Sequence, residues 1–176
     1  MPVPERRLPT GFRFPRPYRL KRRRLIRPLF EREAAEVGRV SVGVVQLRYR
    51  RVSREATGQD VGLQVGFAPG RRARTKVGRN RLRRLMRETW RLGARPLLEA
   101  LAARPDAAQA TLTVFVVFRG REATAAPDIR RDLPAALRRL AARQVEAGPA
   151  QGGTGEPSPP VEQSPGPPVP PASADA

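Results

Sequence analysis

Every lysine and arginine in this chain lies at or before Arg143, while the acidic residues continue past it. The first 143 residues carry 35 basic side chains against 12 acidic ones, a net +23, and Glu146, Glu156, Glu162 and Asp175 lie beyond. A body so charged repels itself, so it must fold with its basic side chains outside and facing a polyanion. Nucleic acid and an anionic lipid surface are the two to weigh. Thirty-three of the 35 are arginine, Lys21 and Lys76 being the exceptions, and the planar guanidinium fork suits phosphates and base edges. A preference for arginine codons explains that ratio equally well, but it does not explain the net charge.

The acidic end has a different composition. From Gly148 the chain reads GPAQGGTGEPSPPVEQSPGPPVPPASADA, with nine prolines and no aromatic residue. Such a segment cannot bury a core, so residues 148–176 are expected to form a disordered or polyproline-like tail, with PPVPP as a spacer rather than a docking ligand. At the other end GFRFPRPYRL interleaves aromatics with Arg and Pro, and residues 1–17 are expected to form an extended basic arm. One domain is expected over 18–147. Neither His nor Cys occurs, which removes disulfides, thiolate nucleophiles, cysteine zinc sites and the commonest general base. The 12 acids of the basic body are scattered, without the pairing a two-metal nuclease needs. Its two serines, Ser41 and Ser53, have no base to activate them. Catalytic residues and metal ligands are therefore expected to be absent. No apolar run approaches the ~20 residues of a membrane span. MPVPERRLPT lacks the apolar stretch of a secretory leader, and the expected location is a bacterial-type cytoplasm.

Within the domain, Leu20, Leu25, Ile26, Leu29 and Phe30 share a face of a helix expected from Tyr18 to Glu36, with Pro28 awkwardly inside it. A strand is expected from Val40 to Tyr49, its apolar phase switching at Val44 and Val45 as in a bulge. RRVSREATGQD reads as a loop. Val61, Leu63, Val65 and Phe67 alternate with Gly62, Gln64 and Gly66, the pattern of a half-buried strand. APGRRARTKVG reads as an open basic loop. In RNRLRRLMRETWRLGARP, Leu82, Leu85, Met86, Thr89 and Gly93 form one helical stripe, with Asn80 suited to N-cap it and Gly93 and Pro96 to end it. PLLEALAAR adds a short turn or two. Thr111 to Phe118 is an unbroken β-branched and aromatic run, a strand covered on both faces. Ile129, Leu133, Leu137 and Leu140 define a last helix, in which Pro134 implies a late start or a kink. The order α, β, β, α, β, α predicts a small α+β sandwich with a βαβ crossover.

The stretch from Arg71 to Arg95 holds eleven Lys or Arg and one acid, Glu88. Such crowding on a helix is destabilising until something anionic neutralises it. The candidate RNA-binding residues are Arg71, Arg72, Arg74, Lys76, Arg79, Asn80, Arg81, Arg83, Arg84, Arg87 and Arg91. Arg79 and Arg81 flank Asn80 at the expected helix start, where free backbone N–H groups favour phosphate; the alternative is that Asn80 only caps and the arginines form a solvated face. The narrow apolar stripe leaves no broad greasy surface for a membrane. A second set, Arg19, Lys21, Arg22 and Phe30, mixes cations with an aromatic, as single-strand binders do. A lone Phe on a helical stripe reads more readily as core than as a stacking residue, so on that ground Phe30 is expected to pack inside, and Trp90 is read as packing.

KVGRNRLRRLMRETWRL, Lys76 to Leu92, resembles the signature of the bacterial ribonuclease P protein subunit: an Arg-Asn-Arg core, here Arg79, Asn80 and Arg81, followed by a basic helix with an Arg-Glu pair, here Arg87 and Glu88. RLKRRRLIRPLF and VGLQVGF before it and TLTVFVVFRG after it resemble that family's first helix, strand and late strand in the same order, so the resemblance covers about Gly11 to Arg143. It implies a small α/β sandwich resembling the second domain of ribosomal protein S5, with a left-handed βαβ crossover. It also implies that the basic helix contacts a catalytic ribonuclease P RNA. A cleft between the first helix and the sheet would hold the 5′ leader of precursor tRNA, with Phe30 at one of its aromatic positions and Arg19, Lys21 and Arg22 beside it. The RNA would hydrolyse the substrate with Mg2+ that it mainly holds itself, one protein serving each RNA. The competing reading is a basic structural RNA-binding protein of ribosome-assembly type, which would associate with ribosomal RNA.

Overall fold

The run VSVGVVQLRYR forms two strands. In the computed structural model, which describes residues 15–31, 36–70, 73 and 75–146, β1 (Gly38–Val42) and β2 (Val45–Ser53) pair antiparallel as a hairpin, with Val42 opposite Val45. The phase switch at Val44 and Val45 is therefore a two-residue turn and not a bulge. Gly43 takes φ +47 there, a backbone region that costs a residue with a side chain, and the Val44 N–H donates to Asp132 Oδ2 at 2.9 Å. The loop expected after Tyr49 instead holds the end of β2 and one helical turn, α2 (Arg54–Thr57), whose start is capped by the Ser53 hydroxyl accepting from the Ala56 N–H.

β3 (Leu63–Ala68) and β4 (Ala110–Phe118) complete a sheet of order β1-β2-β4-β3. β4 runs antiparallel to β2 and parallel to β3. The crossover between the parallel pair contains α3 (Lys76–Gly93) and α4 (Arg95–Ala102), and α5 (Ala125–Glu146) follows β4. Among the described residues this gives four strands and five α-helices, a mixed α/β layer structure of the expected α+β class. The long helices cover the inner face of the sheet. Leu47, Leu112, Val114 and Val116 meet Leu82, Met86, Trp90, Leu97, Ile129, Leu133, Leu137 and Leu140 in one core. Trp90 is packing, as expected; of the run Thr111 to Phe118, Thr111 to Val114 are buried on both faces, whereas Phe115 and Val117 on the outer face are only half-buried, so the strand is not covered on both sides along its whole length. Thr111 Oγ1 donates to Val61 O at 2.7 Å and Thr113 Oγ1 to Arg50 O at 2.9 Å, satisfying hydroxyls that burial would otherwise penalise.

The first helix differs most from expectation. In place of a helix over 18–36 there is a 3-10 turn at Arg16–Tyr18, a single helical turn α1 (Arg23–Ile26), and a 3-10 turn at Arg27–Phe30. Pro28 has no N–H to continue an α-helix, and the chain tightens around it. This segment lies on the outer face of the sheet, where Leu20, Leu25 and Leu29 form a second, small core with Ile26, Val37 and Phe115. The Leu20 N–H donates to Val65 O at 3.0 Å, fastening it along β3. β3 is accordingly more covered than its alternation implied: Gln64 is buried too, with Nε2 donating to Pro17 O at 3.0 Å.

α5 starts before Pro134 and runs through it. Pro134 lies beside Gly93 of α3, where an added Cβ would come 3.5 Å from Pro134 Cβ. Phe12, Phe14, Arg71, Arg72, Arg74 and the tail 148–176 lie outside the described residues. No helix among the described residues is long and apolar enough to cross a membrane.

Candidate nucleic-acid interface

The register of the sheet sorts its side chains by face. On β2 the residues opposite Val116 and Phe118 are Leu47 and Val45, which point inward, so Gln46, Arg48 and Arg50 share the outer face with Phe115 and Val117 of β4 and Arg39 and Ser41 of β1. That face is polar and basic except where the N-terminal segment crosses it. Phe30 stands at the segment's end, 41% exposed, and is not a core residue. Its ring meets Phe115 edge-on, centroids 5.2 Å apart and planes at 80°. Phe115 in turn rests on Gly66, where a Cβ would lie 2.4 Å from the ring. The Arg48 guanidinium lies 4.8 Å from the Phe30 centroid, within cation–π range, held there by Nε donating to Gln46 Oε1 and Nη1 to Leu29 O, both at 3.2 Å.

Phe30 and Arg48 form one wall of an open groove of roughly 900 Å3 whose other wall is the start of α3, with Arg79 and Arg83, and whose end is Arg119. Burial, then the Arg39 and Arg119 guanidiniums, pushes Arg48 below the usual arginine value. Like charges concentrated in this way favour any anion that enters.

α3 begins at Lys76 rather than at Asn80, because the Thr75 hydroxyl caps it by accepting from the Gly78 N–H at 3.0 Å. Asn80 sits one turn inside the helix, exposed, with Oδ1 accepting from Arg83 Nη1 at 3.1 Å. Arg79, Asn80 and Arg81 therefore do not surround a helix terminus, and they point to different places. Arg79 turns toward the groove, its Nε donating to Ala73 O at 2.9 Å. Asn80 and Arg81, with Arg84, Arg87 and the 78% exposed Val77, line a separate depression on the outward side of the helix. Arg87 Nε donates to Arg83 O at 3.1 Å; burial first, then Arg19, Arg84 and Arg83, lowers its pKa. Arg91 is engaged by Glu88 at 2.6 Å, so the strongly positive part of α3 ends near Arg87.

The second sequence-derived set is divided as well. Arg19 bridges to Val65 and lies near Arg87. Lys21 is exposed, and Arg22 lies over the Gly58 turn, where a Cβ would come within 2.7 Å of its Nη2, away from Phe30. Sequence reasoning missed Gln46, Arg48, Phe115, Arg119 and Arg39. The alternation in QLRYR was the available signal, for it places Gln46, Arg48 and Arg50 on one face once the hairpin register is known. No three His, Cys, Asp or Glu side chains come together as a metal-ligating group among the described residues. The family model described as Ribonuclease P matches residues 14–141. No curated protein matches the chain.

Proposed function

The chain belongs to the ribonuclease P family, the protein part of an endoribonuclease that processes tRNA together with an RNA component, and from that membership we propose that it holds two RNA segments on opposite sides of α3. The outward depression around Asn80, Arg81, Arg84 and Arg87 takes phosphates of the catalytic RNA. The groove between Phe30, Arg48 and Arg79 takes the 5′ leader of precursor tRNA as a single strand. One observation carries the reading: an exposed aromatic ring with an arginine stacked on it lines an open basic groove, next to a helix whose positive face has one acid, Glu88, already paired. Aromatic faces accept any base, and arginines neutralise the backbone, so such a groove binds leaders without reading their sequence.

In this reading the RNA performs the hydrolysis, with Mg2+ held mainly by the RNA, and one protein serves each RNA. The protein lowers the repulsion between two polyanions and fixes the leader's direction of exit. The test is a pair of titrations with the Arg81→Ala, Arg84→Ala double variant. Both side chains are exposed, so the fold should melt as the parent does. Assembly with the RNA component should weaken and its salt dependence become shallower, while a leader oligonucleotide still binds the isolated protein. Unchanged assembly would remove the outward face of α3 from the interface.

A further inference from the structure

The basic outer face does not stop at the groove. Arg39 stands directly opposite Arg48 in the hairpin register, on the same face, exposed, on the edge strand β1. α5 packs beneath this edge and sends two exposed arginines up to it: Arg143 Nη1 donates to Arg39 O at 2.6 Å, and Arg139 Nη1 to Ser41 O at 3.4 Å. A guanidinium has five N–H donors, so the bond that fixes each side chain does not exhaust it. Two of the described acids beside this rim are engaged, while Glu146, one turn on from Arg143, is exposed. Glu36 pairs with Arg50 at 2.7 Å, which neutralises the far end of the outer face, and Asp132 is taken by Arg131 and the Val44 N–H. On the outer face Arg119, Arg48 and Arg39 therefore follow one another across the strands to the β1 edge. Neighbouring strands are ~4.8 Å apart, so the step from β2, already a wall of the groove, to β1 extends it by about 5 Å.

We propose that Arg39, Arg139 and Arg143 form a second phosphate-binding site, which takes the part of a single-stranded RNA that extends past the Phe30 groove and over the β1 edge. This rests on the reading of the groove as a single-strand site. The competing role is purely protective: arginines that occupy edge carbonyls also discourage pairing with another strand. The two roles differ in what they do to RNA of different lengths.

The full chain is titrated with oligouridine from about 4 to about 12 nucleotides at several salt concentrations. Affinity should rise with length once the strand reaches the rim. Arg139→Ala with Arg143→Ala should abolish that rise and reduce the salt slope for the long oligomers by roughly 0.7 for each phosphate that is no longer neutralised, leaving the shortest oligomer unaffected. Arg39→Gln, which keeps the β1 carbonyl and so the edge protection, should remove part of the same gain. Parental length dependence and salt slope in both variants would overturn the proposal, as would an equal loss for all lengths. Phe30→Ala tests the underlying reading separately: if it leaves the shortest oligomer's affinity unchanged, the groove is not the single-strand site, whatever the long oligomers do.

Discussion

Two edge-to-face aromatic pairs lie on opposite faces of this sheet. Phe67 and Trp90 meet on the inner face at 5.9 Å and 86°, and Phe30 and Phe115 on the outer face at 5.2 Å and 80°. The geometry is the same, set by the ring quadrupole. The surroundings are not. Trp90 is 2% exposed inside the main core, while Phe30 is 41% exposed with an arginine over its ring. The inner pair is consumed by folding. The outer pair is held in position yet left accessible, with a charge beside it, so the same alternation of residues supplies both a core and the surface proposed to bind RNA.

The inner pair carries the larger energy. Trp90→Ala should cost about 3–5 kcal/mol, a core-type loss that takes RNA binding with it because α3 loses its seat on the sheet. Thermal denaturation checks this. Parental melting would mean that the inner pair does not anchor α3.

A smaller effect is expected where the two layers are tied together by charge. Asp132 is buried and joins α5 to the β1–β2 turn, so Asp132→Ala leaves the Val44 N–H without its acceptor and should cost about 1–3 kcal/mol. Hydrogen bonds from Arg131 and Val44 outweigh burial and hold the Asp132 carboxyl below the usual range. At Asp106 burial opposes the shift, but the Arg104 hydrogen bond and the Arg51 and Arg104 charges prevail in the same direction. A carboxyl depressed in the folded state stabilises it above the unfolded value of ~3.9 and loses that contribution as pH falls through the lower folded value. Chemical denaturation between about pH 6 and pH 2 should therefore show stability falling below about pH 4, with a shallower fall in Asp132→Asn. An unchanged acid limb would exclude Asp132 as one of the groups responsible.

The inner face was legible in the sequence because periodicity reports burial: Leu82, Met86, Ile129, Leu133 and Leu137 sit where their spacing put them. The outer face was less so, for three physical reasons. VSVGVVQLRYR is β-prone throughout, and the lone Gly43 carries the turn, so two strands read as one. Without that register Arg48 and Arg39 could not be matched to Phe30. Thr75 and Asn80 are both competent caps, and what decides between them is where the chain enters the helix, which is a tertiary property. The short N-terminal turns around Pro28 are held by Leu20, Leu25 and Leu29 against the sheet, so the pattern that suggested a long helix was the imprint of a surface to be covered. The family signature around Arg79, Asn80 and Arg81 was plain in the sequence, but that these three residues face different sides of α3 was not.

The smallest effect on folding is expected at Phe30, where the contrast between the two pairs is sharpest. Phe30→Ala removes an exposed ring and one edge-to-face pairing, so it should cost about 1 kcal/mol or less in stability, well short of Trp90→Ala. It also removes the face on which a base could stack, and preference for precursor tRNA with a full leader over one with a trimmed leader should fall by an amount equivalent to about 1–3 kcal/mol. Phe30→Leu separates the causes. Leucine still covers Phe115 but offers no π face to a base or to Arg48, so stability should return and leader preference should not. Thermal melts and leader-dependent binding of the two variants give the answer together. Full recovery of leader preference in Phe30→Leu would mean that apolar cover alone suffices, and a loss of stability in Phe30→Ala as large as in Trp90→Ala would mean that the outer pair is core after all.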